Sequence, residues 1–414
     1  MIERLQSTWR EFPPKFWVVV GASFIDRIGG TLIFPFFALY ITGKFGVGMT
    51  QAGVLIGIFS AAGLAGSMVG GALTDRFGRR VMVLFGLVIS ALSSVAMGLV
   101  NELAVFYPLA FFVGLLSDIA GPAWQAMIAD VLPENQRAEG FGVMRVAGNM
   151  AWIVGPTIGG LMAARSFLML FLMDAGTSLV TATIIYRLIP ETQAPREEGV
   201  APASILTTFA GYRQVLADRL FMAYILVSIP MLIVYFQLYN TLSVYLRDEH
   251  GVSPQGYGFL LTTSAITVIL LQFWVTRRVK DRPPMLMMAF GAAFYLVGFT
   301  MFGLVSAYAL FAAAVVLITA GEMIVMPVGQ ALAANFSPAD MRGRYMAVFS
   351  LAWALPATFG PGLAGVVLDR FDPNWVWYGS GILCAVAVAG FVALHSGARA
   401  RFAAPAGPSP ALPP

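Results

Sequence analysis

Charge is what this 414-residue chain has least of. Only 11% of its residues are Asp, Glu, Lys or Arg, against about 25% in a soluble globular protein. Apolar residues make up 58%. That balance excludes a large soluble core and reads as an integral membrane protein. The net charge of +4 is then a topology signal, not a nucleic-acid footprint. The single cysteine, Cys384, excludes an intrachain disulfide. His250 and His395 stand apart and no His/Cys cluster accompanies them, so no metal site is expected. There is no G-x-x-x-x-G-K-S/T phosphate loop and no G-x-S-x-G nucleophile elbow, so neither ATP hydrolysis nor enzyme chemistry is expected, and no cofactor. The polar start, Met1–Lys15, precedes an apolar run too long for a signal-peptide core and reads as a cytosolic tail.

What the chain does have is apolar runs at about 30-residue intervals, each of the ~20 residues a bilayer-crossing helix needs. Spans are expected near 16–41, 52–73, 81–100, 104–129, 140–164 and 167–188, then near 218–246, 255–276, 285–306, 308–331, 344–367 and 375–396. The expected class is therefore an all-α membrane protein of twelve transmembrane helices. A polar stretch, 189–217, divides the chain into bundles 1–188 and 218–396, and a proline-rich tail, 397–414, is expected to be disordered. With the N-terminus inside, basic residues favour the inner segments by roughly five to one, leaving Lys44, Arg165, Arg247 and Arg370 outside. Both termini are thus expected in the cytosol. Trp9 and Trp17 at one end, and Trp375 and Trp377 at the other, occupy expected interfacial anchor positions. Three lysines among many arginines suit a GC-rich bacterial genome, hence a bacterial inner membrane.

A constant offset of 205 residues links the two halves. Pro133 and Arg137 recur as Pro338 and Arg342; Gly155-Pro156 as Gly360-Pro361; Gly160 as Gly365; Gly46-Val47 as Gly251-Val252; Tyr40 as Tyr245; Gly53 as Gly258. Duplicated halves of this kind pack about a pseudo-two-fold axis, with the ligand site at mid-depth.

Ionisable residues at bilayer depth are costly and so are functional candidates: Asp26, Arg27, Asp118, Arg145, Asp174 and Glu322. Asp118 and Glu322 lie mid-span in the fourth and tenth runs, and the repeat sets Glu322 on Ser117, the neighbour of Asp118. An acid held away from water is poised to exchange a proton, and it attracts cations. Against this stands a purely structural role, with each carboxylate satisfied by a neighbouring hydroxyl or arginine. Asp26 and Arg27 leave the helix about 100° apart, so at least one is expected to pair across helices, with Arg145 a candidate partner for Asp26. Asp174, beside Thr177 and Ser178, is expected to be structural.

Between the second and third runs lies Gly71-Ala72-Leu73-Thr74-Asp75-Arg76-Phe77-Gly78-Arg79-Arg80. Four charges in ten residues predict an aqueous turn, and its three arginines mark the cytosolic side. The stretch resembles the G-x-x-x-D-R-x-G-R-R/K loop of the major facilitator superfamily of secondary transporters, matching at Gly71, Asp75, Arg76, Gly78, Arg79 and Arg80. The resemblance implies an inner gate in which Arg79 pairs with Asp130 and Asp75 faces the positive end of the eleventh helix. Gly155-Pro156-Thr157-Ile158-Gly159-Gly160 resembles the G-P-x-x-G-G element of helix 5 in drug:proton antiporters of that superfamily. Gly155, Pro156, Gly159 and Gly160 would let that helix bend and pack closely; a plain packing element is the alternative. Gly29-Gly30 with Pro35 is similar to another element of that group. The chain departs from it in the fourth run, where Ser117 stands four residues before Gly121 in place of an arginine; Arg145 is a conceivable substitute.

Phe34, Trp124, Asn149, Trp152, Gln237, Asn240 and Trp353 are candidate cavity-lining residues; aromatic walls with a few amides suit lipophilic ligands. Taken together, the resemblance implies alternating access by two six-helix bundles. The first expectation is proton-coupled efflux of lipophilic or cationic small molecules. A proton-coupled carrier of a sugar, peptide or siderophore is the alternative, and a transporter-like sensor or channel a third. Expected partners are the small-molecule substrate, protons and the lipid bilayer, with no nucleic acid; the working unit is expected to be a monomer.

Overall fold

The computed structural model describes residues 11–192, 212–338 and 341–403. Helices account for nearly all of these residues, and none of them forms a strand. Twelve helices among them are long and apolar enough to cross a bilayer: Pro14–Phe45, Met49–Phe77, Arg79–Leu99, Leu103–Asp130, Glu139–Ala163, Phe167–Leu188, Arg219–Gln237, Pro254–Val279, Pro284–Phe302, Tyr308–Phe336, Arg342–Arg370 and Trp375–Arg401. They are spans 1 to 12 in chain order. In hydrocarbon a helix is the form that satisfies every amide from within one segment, which is why apolar runs of this length fold this way. Two spans are interrupted near prolines. Span 1 tightens into a 3-10 turn at Phe34–Phe36 around Pro35, and span 4 at Asp118–Ala120 just before Pro122.

The duplication is visible in the backbone. Gly46 and Gly251, one repeat apart, both have φ of 63° and each ends a short helix, Phe37–Phe45 and Leu242–His250. Left-handed conformation is open to glycine at little cost, which explains the paired glycines. Tyr40 and Tyr245, also one repeat apart, are both buried.

The chain separates into two compact units that do not follow the halves 1–188 and 218–396. One comprises Met1–Val200, Phe236–Ile266 and Ala357–Pro373; the other comprises Ala201–Tyr235, Thr267–Pro356 and Asn374–Pro414. The physical reason lies inside the first unit, where parts of spans 8 and 11 meet spans 5 and 2 backbone to backbone. A Cβ on Gly160 would lie 3.0 Å from the Cα of Gly258, and one on Gly53 would lie 2.6 Å from the Cα of Gly362. The hydroxyls of Thr157 and Thr262 share a 2.7 Å hydrogen bond beside the first of these contacts. Asp369 accepts the amides of Met49 (2.9 Å) and Thr50 (2.7 Å), capping the start of span 2.

In the second unit a polar clamp ties the start of span 7 to the end of span 12. Asp218 accepts Arg401 at 2.8 Å, the Tyr345 hydroxyl at 2.8 Å and the Phe221 amide at 3.1 Å. Burial alone would push Asp218 up; those bonds and the Arg401 charge outweigh it and hold the carboxyl below its ordinary 3.8.

Three expectations are corrected. The turn after span 2 is a single residue: helix continues through Phe77 and resumes at Arg79, leaving only Gly78 (φ 95°) outside. Of its arginines Arg76 is exposed, while Arg79 and Arg80 are half-buried against neighbouring spans. The last helix runs to Ala403, so residues 397–403 are ordered, held by the Arg401 clamp; residues 404–414 fall outside the described part, as do Trp9 and residues 193–211 of the central stretch. Trp377 is fully buried against Phe302 (ring centroids 5.1 Å apart) and is no interfacial anchor, while Trp375 is exposed.

Two outcomes follow. Gly78→Ala places a Cβ at φ 95° and against the Glu191 carboxylate; strain of about 1–3 kcal/mol is expected, read as a melting temperature several degrees lower in detergent. Asp218 binds a proton less readily folded than unfolded. Its stabilisation is therefore present above the unfolded pKa of about 3.9 and is lost as pH falls further. The difference in melting temperature between wild type and Asp218→Asn should shrink below about pH 4, and a constant gap would exclude the clamp as its source.

Candidate functional site

Two polar and aromatic groups stand out, one in each unit. In the first, Phe34, Trp152 and Tyr239 form a triangle of rings: 5.8 Å and 83° for Phe34–Trp152, 5.2 Å and 62° for Trp152–Tyr239, 6.4 Å for Phe34–Tyr239. Phe34 sits on the 3-10 turn that breaks span 1, and Trp152 on span 5 one turn before Pro156. Tyr239 was not among the sequence candidates; it lies in the irregular 238–241 turn, which carries no periodic signal.

Next to Phe34 opens a cavity of about 260 Å³ lined from spans 1 to 4 and 6, with Asn240 contributed from the same turn as Tyr239. Asp174 is on its wall, buried to 6% exposure, and its carboxylate accepts the Ser94 hydroxyl in a short hydrogen bond. Behind it, Asp26 accepts the Ser178 hydroxyl at 3.1 Å, and Ser178 lies 3.3 Å from Ser90. So the partner that Asp26 shows among the described residues is a serine of span 6. Arg27 and Arg145 are exposed, with the Arg27 guanidinium packed over Gly148. Asp118, on the 3-10 turn of span 4, is exposed with its carboxylate near Gly63, and has no hydrogen bond or ion pair among the described residues.

In the second unit, Glu322 of span 10 accepts the Tyr235 hydroxyl at 3.0 Å. Tyr235 stacks on Tyr295 (6.1 Å, 19°) and meets Trp353 edge-on (6.1 Å, 85°). Trp353 thus joins a carboxylate-bearing aromatic set that the sequence did not assemble. The remaining candidates scatter. Gln237 is buried and accepts the Thr241 hydroxyl at 2.6 Å; Asn149 is exposed; Trp124 packs against a separate hydrophobic core around Phe16 and Met127.

The end of span 2 carries a third group. Arg79 pairs with Asp130 at 3.1 Å, and Thr192 donates to the same carboxylate at 3.2 Å. Glu191, absent from the sequence candidates, accepts the amides of Arg79 (2.9 Å) and Arg80 (3.2 Å) and so caps span 3. A carboxylate at a helix N-terminus is favoured by the dipole. Arg80 donates to the Tyr186 carbonyl in a short bond and lies over the Tyr186 ring. Asp75, Arg76 and Gly71 lie on the last turns of span 2, the first two exposed. In span 5, Gly155 abuts Thr31, Gly159 the Leu32 carbonyl and Gly160 the Gly258 backbone, with Pro156 inside the helix.

Similarity to known proteins agrees with this architecture. An antiporter from Planococcus maritimus described as a Na(+), Li(+), K(+)/H(+) antiporter is 29% identical over 395 residues, covering 88% of this chain and 91% of its own. Multidrug resistance protein 2 of Bacillus subtilis is 25% identical over 365 residues, covering 86% and 88%. A crystal structure of a POT family transporter in complex with 5-aminolevulinic acid superposes with a TM-score of 0.78 at 15% identity, covering 93% and 97%, a likeness of fold. The family model of the Major Facilitator Superfamily matches residues 19–361 and 238–412, nearly the whole chain. With twelve spans, a duplicated backbone and that match, the chain is a multi-pass membrane transporter and belongs to the major facilitator superfamily.

Proposed function

We propose that the protein is a proton-coupled efflux transporter of lipophilic or cationic small molecules that works by alternating access. The observation that carries this reading is Glu322, an acid within a membrane span whose carboxylate is met by the Tyr235 hydroxyl inside a set of aromatic rings. An acid placed there exchanges a proton for a cation, and aromatic faces attract cations and apolar bodies alike. Asp118, without a partner among the described residues, is the second exchange group. Two relatives bear names of the same kind, one a cation/proton antiporter and one a multidrug resistance protein. The walls carry rings and few amides, which favours this reading over a carrier of sugars or peptides.

Protonation changes the relative stability of two conformations only where the acid meets different surroundings in each. The inner gate would supply the mechanical part. Arg79, Asp130 and Glu191 join spans 2, 3 and 4 and the end of span 6 in one charged clamp on the cytosolic side, with both termini cytosolic and a monomer as the working unit.

In proteoliposomes with an imposed proton gradient, Glu322→Gln and Asp118→Asn should abolish proton-driven movement of tetraphenylphosphonium while both proteins still insert. Unchanged coupled transport in both would remove these acids from the mechanism. Asp130→Asn and Glu191→Gln should slow turnover about tenfold with little change in melting temperature; wild-type turnover in both would rule out the clamp as a gate.

A further inference from the structure

The cavity beside Phe34 has one ionisable wall residue, Asp174, and no lysine, arginine or histidine. Among the described residues Asp174 has no basic partner. The Ser94 hydroxyl meets one carboxylate oxygen, and the other lies against Gly29. A second polar group on the same wall is also incompletely used. Asn240 is 2% exposed, and its amide nitrogen donates to the Phe236 carbonyl at 2.9 Å. Its side-chain oxygen has no partner among the described residues. An acceptor that opens onto a largely enclosed cavity is available to a donor on a ligand, and a carboxylate there to a cation. The wall therefore lacks one thing, a positively charged hydrogen-bond donor.

The rest of the lining defines the body of that cation. Phe34, Phe37 and Phe59 face the cavity with Ile33 and Ile56, and their rings can take a cation or an apolar group. The hydroxyls of Ser60, Ser90, Ser93, Ser94 and Ser117 also line it, oxygens that would suit an alkali ion as well, and the sodium arm of the test below separates the two. The volume of about 260 Å³ falls below the 300–1,000 Å³ typical of drug-sized ligands. We propose that this cavity binds a small organic monocation, an amine with a short aromatic or aliphatic body, with Asp174 as counter-ion and the Asn240 oxygen as second acceptor.

This inference rests on the reading of the chain as a carrier of cationic molecules, and gives it a specific station within the first unit. The site also has a second acid behind it. Ser178 donates to Asp26 at 3.1 Å and lies 3.3 Å from the Ser90 hydroxyl on the wall. Asp26 thus lies one serine behind the cavity and interacts electrostatically with Asp174, so charge arriving at one is felt at the other.

Isothermal titration of the purified full-length protein with 2-phenylethylammonium tests this, with 2-phenylethanol as the neutral match. Saturable one-to-one binding is expected. It should weaken about tenfold or more in Asp174→Asn, severalfold in Asn240→Leu, and about tenfold or more for the alcohol. Equal affinity in Asp174→Asn, equal affinity for the alcohol, or saturable sodium binding with none of the amine would each overturn the proposal. Should Asp174→Asn fail to elute as a monodisperse protein, Asn240→Leu and the alcohol decide the question. The titration uses no gradient, so a chain without proton-driven efflux can still bind the amine. A chain that exports tetraphenylphosphonium but does not bind the amine refutes the cavity alone.

Discussion

Hydrocarbon offers no partner to a backbone amide and no driving force to press two apolar helices together. Close helix contact must then come from shape, and in the first unit it comes from glycine. Spans 5 and 8 meet at Gly160 and Gly258, spans 2 and 11 at Gly53 and Gly362, and Gly365 packs on the backbone of Met49. Under the 205-residue offset Gly53 corresponds to Gly258 and Gly160 to Gly365, so one pair of contacts is the image of the other. A side chain at Gly53, Gly160, Gly258 or Gly365 would separate the backbones. The same approach brings the 238–241 turn to the first half of the chain, where Tyr239 meets Trp152 and Asn240 meets the cavity. The polar chemistry of that unit is thus a consequence of contacts that carry no polarity themselves.

The spans were legible because their signal is local and redundant: about twenty apolar residues identify a helix whatever surrounds it. The offset of 205 was legible because glycines at chain reversals are fixed by backbone conformation, as Gly46 and Gly251 illustrate. Partners across the bundle were not. Glu191 caps span 3 from 112 residues away, and Ser178 reaches Asp26 from 152 residues away. Nothing in the local pattern distinguishes those two from any polar residue near a span end or face. Trp377 was misplaced for a related reason. Tryptophan near a span end suits an interface, but here neighbouring Phe302 and Phe311 form a pocket that takes the indole inward. Asp174 was expected to be structural from its threonine and serine neighbours, yet the hydroxyl it uses is that of Ser94, on another span.

On the proposed reading the acids divide two tasks between them. Glu322 accepts a hydroxyl from within an aromatic set, a setting in which a proton can be gained or lost without displacing a charged partner. Asp174 accepts the Ser94 hydroxyl, and Asp26 accepts that of Ser178, which lies 3.3 Å from Ser90, so each acid is met by a hydroxyl and not by a fixed positive charge. A carrier must also avoid holding its cargo too firmly, since a ligand bound equally well in both conformations moves nothing. Serine hydroxyls meet this need better than an arginine would. They satisfy a carboxyl group without supplying a fixed positive charge. An arginine on span 4, as the resemblance to drug antiporters would imply, would supply that charge permanently. With Ser117 at that place, no lysine, arginine or histidine lines the cavity, and on the proposed reading the positive charge comes with the ligand.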